Sequence, residues 1–361
     1  MRAILLNPGP VSLSDAVRKA AVSADLCHRE PEFFNLQSRV REGLLDVYGC
    51  AAGDWAAVLL GGSGTTALEA MLASLPGRDA RLLVIENGVY GERISRIAEI
   101  HGISFEALRH EWTEAIDHSR VEEALAKGGF SHLAAVHHET TTGRLNDAAA
   151  LARLCEQHGV SLLLDAVSSF GAEAIPFESP ALAGCAVTAN KCLHGIPGLC
   201  LVVARRDALE AAAEPPRTLY LHLPLWLAQQ DRQSTPFTPP VNALLALNKA
   251  LEELDGQGGW KGRHARYTRL AGRVRRALDR HGVKALLPPG ESSCVLTSYL
   301  LPHGMSYERV HDALKQWGFV IYAGQGSLVA ELFRISTMGD ITDYDMERLL
   351  AAIQSVFQTR A

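Results

Sequence analysis

The feature that most constrains the fold of this chain is a regular alternation of short apolar runs with helical segments. The apolar runs have the length and composition of buried strands and lie at residues 55–60, 81–86, 131–138 and 160–165, and two more flank position 191. Strands that alternate with helices imply right-handed crossovers and a mostly parallel sheet. Because ligands gather at the carboxyl ends of such strands, we expect an α/β fold with its functional side chains on one rim.

Beyond residue 204 the pattern changes, and a second unit is expected. Residues 214–240 hold six of the 16 prolines and are predicted to form an irregular connection. Two long helices follow, and the remaining chain alternates short strands with helices. We therefore expect three parts: an N-terminal segment at residues 1–14 near the active site, a large domain at 15–240 and a smaller α+β domain at 241–361.

The bulk composition describes an ordinary globular protein that binds neither nucleic acid nor membrane. The 361 residues are 47% hydrophobic, with a formal net charge of −5 and a sequence pI of about 6.3. No apolar run has membrane-spanning length, and the first residues do not resemble a signal sequence. Seven cysteines without paired spacing predict free thiols and a cytoplasmic location. The 14 histidines show no metal-ligand spacing, so no metal site is predicted.

Two residues that follow predicted strands carry the strongest chemical signal. Lys191 lies between two apolar runs, where its amine is expected to have little room to reach water. Burial disfavours the charged form of an amine, and a neutral amine is what Schiff-base chemistry needs. Asp165 ends the strand predicted at 160–165. A lysine and an aspartate at consecutive strand ends are typical of pyridoxal phosphate sites, in which the lysine holds the aldehyde carbon and the carboxylate holds the pyridine nitrogen.

A glycine-rich turn, G-G-S-G-T-T at residues 61–66, lies between a predicted strand and a predicted helix. This arrangement points backbone N–H groups at an anion, and the hydroxyls of Ser63 and Thr65 add to the attraction. The turn has neither the lysine of a Walker motif nor the spacing of a dinucleotide fingerprint, so a single phosphate fits it best. Tyr90 and Thr140 also follow predicted strands, which puts them on the same rim.

Taken together, these features resemble the aminotransferase class V branch of the fold-type I pyridoxal-phosphate enzymes. The resemblance covers nearly the whole chain and is carried by N-P-G-P, D-L-C-H-R-E-P-E-F, G-G-S-G-T-T-A-L-E-A, N-G-V-Y-G-E-R, H-H-E-T-T-T-G, D-A-V-S-S-F-G, A-N-K-C-L-H-G-I-P-G, F-T-P-P, G-F-V-I-Y and L-F-R-I-S. H-E-T-T-T-G and A-N-K-C are similar to the aminoethylphosphonate enzymes of that branch. The resemblance implies a large domain with a mostly parallel, seven-stranded sheet and a smaller C-terminal α+β domain.

The resemblance also implies a role for individual residues at the cofactor. Lys191 is expected to form the Schiff base with pyridoxal 5′-phosphate, and Asp165 to pair with the pyridine nitrogen. Tyr90 is expected to stack on the cofactor ring, and Thr140 to bond its phenolic oxygen. The residues expected to hold the cofactor phosphate are Ser63, Gly64, Thr65 and Asn190.

Other implied roles involve the substrate and a second subunit. Thr238, in F-T-P-P, matches a phosphate contact that the partner subunit of a homodimer donates. Arg334, in L-F-R-I-S, matches the arginine that binds the acid group of the substrate, and Gly9 and Arg29 are further candidates for substrate binding. Arg29 would add a second cation for a dianionic phosphonate.

The resemblance implies transfer of the amino group of 2-aminoethylphosphonate to pyruvate, giving phosphonoacetaldehyde and L-alanine, in phosphonate catabolism.

Three departures from the pattern of the family leave alternatives open: Thr235 replaces a tyrosine, Y-A-G-Q at 322–325 replaces Y-P-G-K, and S-T-M-G-D follows the L-F-R-I of Arg334 in place of the usual G-N-I-G. An alanine– or serine–glyoxylate or –pyruvate aminotransferase is the main alternative. A cysteine desulfurase using Cys192, and a non-catalytic binding protein on the same scaffold, are weaker ones. A nicotinamide dehydrogenase is disfavoured by the glycine turn.

Overall fold

The computed structural model describes residues 2–212 and 214–358. The strands are β1 Ile4–Leu5, β2 Trp55–Gly62, β3 Arg81–Glu86, β4 Ser104–Arg109, β5 His132–Val136, β6 His138–Glu139, β7 Arg144–Leu145, β8 Ser161–Asp165, β9 Leu182–Thr188, β10 Gly198–Arg205, β11 Leu296–Leu300, β12 Phe319–Val320, β13 Tyr322–Ala323 and β14 Leu332–Ser336. The helices are α1 Asp15–Ala20, α2 Pro31–Asp46, α3 Gly64–Ser74, α4 Val89–Ile100, α5 His118–Ala126, α6 Ala148–Gln157, α7 Arg206–Glu210, α8 Leu223–Asp231, α9 Val241–Gly256, α10 Gly259–Asp279, α11 Tyr307–Gln316 and α12 Asp343–Gln358. A 3₁₀ turn lies at Gly326–Leu328.

The large domain is organised around a seven-stranded sheet in the order β2-β10-β9-β8-β5-β3-β4. Strand β10 runs antiparallel to both of its neighbours, and the other neighbouring pairs are parallel. The prediction of a mostly parallel seven-stranded sheet is therefore confirmed. Asp165, at the end of β8, is in register with Val136 of β5 and Ala186 of β9, so the loops after these strands start from one edge.

Both faces of this sheet are covered, which explains why its strands are apolar along their whole length. On one face, α2, α5, α6 and α9 pack over side chains such as Leu59, Leu164 and Val187. On the other face, α3, α4 and α8 pack over side chains such as Leu60, Val84 and Leu163. These two apolar layers fix the sheet and hence the positions of the loops at its edge.

The small domain has a three-stranded antiparallel sheet, β11-β14-β13, packed against α10, α11 and α12. The N-terminal segment joins this unit, because Ile4 of β1 pairs with Phe319 of β12 and both side chains are buried in the small-domain core. Helix α9 packs on α1 and α2, although residue 241 begins the predicted small domain. The division at residues 14 and 240 stays a prediction.

Some elements differ from the sequence-based expectation. The proline-rich connection at 214–240 contains a helix, α8, because Pro224 lies in its first turn, where proline is compatible with a helix, and Trp226 and Gln230 bury against the large domain. Gln230 bonds both backbone groups of Leu59 through its side-chain amide. Strand β4 and helix α5 are not among the elements that the sequence predicts.

All seven cysteines are free thiols, as their spacing predicts. Among the described residues, none of the helices has the length and apolar character needed to cross a membrane.

Candidate active site

Lys191 lies in the turn that follows β9, at the edge of the large sheet. Its Nζ donates a hydrogen bond to Ser168 Oγ at 2.6 Å and lies 5.9 Å from the centre of the Tyr90 ring. Gly9 packs on the lysine stem: a Cβ added there would lie 3.1 Å from Lys191 Cγ, and the φ of +124° also favours glycine. The side chain is half-buried rather than enclosed, so the expectation that it has little room to reach water is only partly met.

Asp165 ends β8 and is almost completely buried. Burial raises the pKa of its carboxyl group, whereas the N–H of Val167, which donates to Oδ1 at 3.0 Å, and the charges of Lys191 and Arg93 lower it. Within residues 2–212 and 214–358, Asp165 forms no salt bridge. A buried carboxylate without an ionic partner is a place where a cationic ring nitrogen would be stabilised.

The glycine-rich turn forms the start of α3, as predicted. Ser63 is the N-cap residue, and its N–H donates to Thr66 Oγ1 at 3.1 Å. Only glycine fits at position 64, because a Cβ there would lie 2.5 Å from Val167 Cγ1, in the loop after Asp165. The first amides of a helix have no intrahelical acceptor, so this turn offers donors to an anion close to the aspartate.

Tyr90 is held at the start of α4 by two neighbouring groups. Glu139, which is fully buried, accepts the N–H groups of Tyr90 at 3.1 Å and Gly91 at 3.3 Å through Oε2. The guanidinium of Arg93 lies 4.6 Å from the centre of the Tyr90 ring and donates to Thr65 Oγ1 at 3.2 Å. Arg93 thereby links the Tyr90 ring to the glycine-rich turn at residues 61–66, and Glu139 links the Tyr90 backbone to β6.

Arg334, in β14, brings the small domain to this rim. Its Nε donates to Ala323 O at 2.7 Å, and its Nη1 donates to Thr140 O at 2.8 Å and to Gln325 Oε1 at 3.2 Å. Burial lowers the pKa of the guanidinium, which nevertheless stays a cation, and no carboxylate pairs with it among the described residues. A buried arginine held by carbonyl groups and an amide keeps its charge available for an acid group of a ligand.

The structure brings together most of the residues that the sequence singled out. Lys191, Asp165 and Gly9 meet beside Tyr90, and Thr140 is joined to Arg334 through its carbonyl group. Asn190 Oδ1 accepts the hydroxyl of Thr188 at 2.7 Å, next to the lysine.

Two predicted site residues are exposed in the single chain, and within residues 2–212 and 214–358 neither forms a hydrogen bond with Lys191 or Asp165. Thr238 is exposed, and Arg29 is exposed with its Nη1 donating to Thr235 O at 2.8 Å. The role expected for Thr238 involves a second subunit, and that of Arg29 involves a phosphonate, so both stay predictions.

Four residues that contact this site were not singled out from the sequence. Three of them lie inside motifs that the resemblance uses, and the fourth, Gln325, lies in the departing segment Y-A-G-Q; neither kind of segment shows which side chain each residue would touch. They are Ser168, Arg93, Glu139 and Gln325, which contact Lys191, Thr65, the start of α4 and Arg334 respectively.

The residues present fit pyridoxal phosphate. Thr140 Oγ1 is buried and has no hydrogen-bond partner among the residues that the structure describes, as expected of a hydroxyl that bonds a ligand oxygen. Among the described residues, Asp165 is a buried carboxylate without an ion pair, and Lys191 Nζ lies 5.9 Å from the centre of the Tyr90 ring. An amine, an acid, an aromatic ring and an anion-binding turn therefore converge on one rim.

Comparisons with known proteins agree with this geometry. The family model described as aminotransferase class-V matches residues 19–349. A relative from Phocaeicola vulgatus, named 2-aminoethylphosphonate–pyruvate transaminase, is 34% identical over 98% of this chain and 98% of its own length. A relative of the same name from Syntrophobacter fumaroxidans is 37% identical over 97% of this chain and 95% of its own length. The structure of a subgroup IV aspartate aminotransferase from Thermus thermophilus has a TM-score of 0.90 at 29% identity, covering 99% of this chain and 100% of that one.

Proposed function

The chain belongs to the class-V aminotransferase family, and from that premise we propose that it transfers the amino group of 2-aminoethylphosphonate to pyruvate. The amino donor is oxidised to phosphonoacetaldehyde while pyruvate is reduced to L-alanine, so no external oxidant or reductant is needed. The observation that carries this proposal is the identity of 34% and 37% to two full-length relatives that bear the name of this activity.

The cofactor of the proposed reaction is pyridoxal 5′-phosphate. Lys191 and Asp165 would hold the aldehyde carbon and the ring nitrogen, and Tyr90 would lie against the ring. The residues that would hold its phosphate and phenolic oxygen are Ser63, Gly64, Thr65, Asn190 and Thr140. When bound, the cofactor supplies an electron sink for the bonds of the amino-bearing carbon.

The side chains of the protein divide the remaining work. Asp165 keeps a negative charge beside the ring nitrogen, because a cationic partner offsets the burial that raises the pKa of its carboxyl group. Lys191 Nζ takes the proton from the amino-bearing carbon, and a positioned base of this kind contributes roughly 10²–10⁴-fold to rate. Arg334 binds the acid group of either substrate, and its planar fork can do so bidentately.

A homodimer is part of the proposal. Thr238 is exposed, as is the segment around Leu219, so a second copy could bring Thr238 to its partner's phosphate site. Sedimentation of the purified protein at assay concentration tests this, and a monomer with full activity would exclude the shared site.

The second candidate is an alanine or serine aminotransferase, and the contact between Arg334 and Gln325 favours it. One guanidinium beside a neutral amide supplies a single positive charge, which balances a monoanionic carboxylate but only part of the charge of a dianionic phosphonate. A cysteine desulfurase is less compatible with the site, because Cys192 is buried and burial raises the pKa of its thiol to about 12.

A donor screen separates these candidates. The protein is loaded with pyridoxal phosphate and given 2-aminoethylphosphonate, L-serine or L-aspartate with pyruvate, and the alanine formed is measured. We expect kcat/KM for 2-aminoethylphosphonate to exceed that for either amino acid by at least tenfold. A higher value for L-serine would support the second candidate, and the absence of alanine with every donor would contradict aminotransfer to pyruvate.

A further inference from the structure

The amine of Lys191 is held by a residue to which the family resemblance gives no role. Ser168 is buried, and its Oγ accepts a hydrogen bond from Lys191 Nζ at 2.6 Å. Ser168 lies in the turn that begins at Asp165, where the Val167 N–H donates to the aspartate carboxyl group. One short turn therefore places both an acid and a hydroxyl beside the lysine.

The turn itself is firmly fixed. The carbonyl oxygen of Ser168 accepts a hydrogen bond from His138 Nδ1 at 3.1 Å. Burial lowers the pKa of His138 to about 4, so the ring is neutral at pH 7, and the contact with a carbonyl oxygen requires the proton on Nδ1. The Cys192 thiol donates to the same carbonyl oxygen at 3.5 Å, which ties the serine to the residue after the lysine.

Within the described part of the chain, Ser168 is the one hydrogen-bond acceptor of the lysine amine. No carboxylate lies within salt-bridge distance of Nζ there, and Gly9 packs against the lysine stem. The four-carbon stem of a lysine rotates about several bonds, so the free side chain has many rotamers. The hydrogen bond to Ser168 therefore selects the rotamers that point the amine at this turn.

We propose that Ser168 is a positioning residue for the amine of Lys191 during the proton transfer. When Nζ is neutral, it has two N–H bonds and one lone pair. Donating one N–H to Ser168 Oγ fixes rotation about the Cε–Nζ bond and turns the lone pair away from the serine. That lone pair takes the proton lost by the amino-bearing carbon of the substrate. The electrons of the broken C–H bond remain with the substrate and the cofactor. The hydrogen bond from Nζ to Ser168 Oγ is kept throughout. This inference rests on the proposed aminotransferase function.

A neighbouring residue provides a matched control. Ser169 is also buried and lies in the same turn, but its Oγ contacts His137 Nδ1 at 2.9 Å instead of the lysine. Ser168→Ala and Ser169→Ala therefore delete the same atom one residue apart, and each removes one side-chain hydrogen bond, partly buried at Ser168 and buried at Ser169. Only the first of them releases the amine.

The first test follows the half-reaction of holoenzyme with L-alanine, the product amino acid, unlabelled or deuterated at C2. Ser168→Ala should slow the half-reaction roughly 10- to 100-fold, because the amine becomes positively charged as it takes the proton and a hydrogen bond from a charged group is worth more than one between neutral groups. The alanine concentration for half-maximal rate should change little. The primary deuterium isotope effect should rise, because proton transfer becomes the slow step. Ser169→Ala should leave both unchanged, and Ser168→Thr, which keeps a hydroxyl, should recover most of the rate.

The second test uses protein without cofactor. Acetic anhydride should label position 191 several-fold faster in Ser168→Ala than in the wild type or Ser169→Ala, as read by mass spectrometry, because the amine is no longer held against the turn. Equal rates, isotope effects and labelling in Ser168→Ala and wild type would overturn the inference, as would an equal loss in Ser169→Ala. A wild-type protein that reacts with neither L-alanine nor 2-aminoethylphosphonate would instead overturn the proposed function.

Discussion

The two ends of this site are built in different ways. At the cofactor end, Lys191 and Asp165 follow neighbouring strands of one parallel sheet, so backbone register sets their separation. At the proposed acid-binding end, Arg334 comes from the small antiparallel sheet β11-β14-β13, and its Nη1 donates to the carbonyl oxygen of Thr140 in the loop between β6 and β7. The proposed cofactor chemistry thus depends on the edge of one sheet, while the proposed binding of the substrate acid group depends on a side chain from a different sheet.

The largest effect is expected at the cofactor end, from Asp165→Asn. Loss of the negative charge should lower kcat about 10²–10³-fold, the range seen when one preorganised electrostatic group is removed from an active site. The cofactor-free variant should be at least as stable as the wild type, because burial raises the pKa of this carboxyl group and a buried carboxylate costs folding free energy.

The gain in melting temperature on adding pyridoxal phosphate separates this role from simple packing. That gain should shrink in Asp165→Asn but not in Asp147→Asn, which makes the same change of charge at the N-cap residue of α6 and keeps an oxygen that can accept from the Ala150 N–H. An unchanged gain in Asp165→Asn would mean that the carboxylate does not face the cofactor.

A smaller effect is expected at the acid-binding end, from Arg334→Lys. The lysine cannot reproduce the planar fork, so KM for the amino donor should rise about 10- to 100-fold while cofactor affinity stays the same. Arg266→Lys controls for packing, since Arg266 also donates to backbone carbonyl groups in the small domain. Equal KM values for wild type and Arg334→Lys would assign the acid group to another cation and remove the contrast between the two ends.

A still smaller change in preference is expected from Gln325→Lys. A second positive charge beside Arg334 should raise the ratio of kcat/KM for 2-aminoethylphosphonate over L-serine about fivefold, as a partly exposed ion pair contributes up to about 1 kcal/mol. Gln316→Lys, at the exposed end of α11, adds the same charge elsewhere and should leave the ratio unchanged. A fall in the ratio would show that this loop does not contact the acid group.

The smallest effect concerns the contacts that join the two units at Glu173. Burial raises the pKa of this carboxyl group, but hydrogen bonds from His264, Ser293 and the Cys294 N–H outweigh burial and hold it at about 2. The ionised Glu173 therefore contributes its full share to the free energy of unfolding when the pH is above the ordinary carboxyl pKa of 4.5. That contribution is lost as the pH falls toward 2. The bond to Glu173 raises the pKa of His264, whose contribution is complete below 6.5 and is lost as the pH rises through the raised value.

The difference in melting temperature between the wild type and Glu173→Gln should therefore be greatest between pH 4.5 and 6.5, at about 3–6 °C. It should shrink on either side of that window. A difference that does not depend on pH would show that the carboxylate contributes through packing alone.

The sequence made the large domain predictable because strand ends in a parallel sheet share an edge, so Lys191, Asp165 and the turn at 61–66 could be placed together without knowing any contact. It did not reveal α8, whose position depends on burial of Trp226 and Gln230 against a distant strand. Ser168 and Glu139 were missed for a similar reason. Their roles arise from hydrogen bonds to Lys191 and to the start of α4, and such pairings are set by tertiary packing.

The most direct test is to find where the cofactor attaches. Protein loaded with pyridoxal phosphate is reduced with borohydride and digested, and the modified peptide is identified by mass spectrometry. We predict a single modified residue, Lys191, and no modification at that peptide or any other in Lys191→Ala. Attachment at a different lysine, or no attachment in the wild type, would contradict the assignment of this rim as the active site.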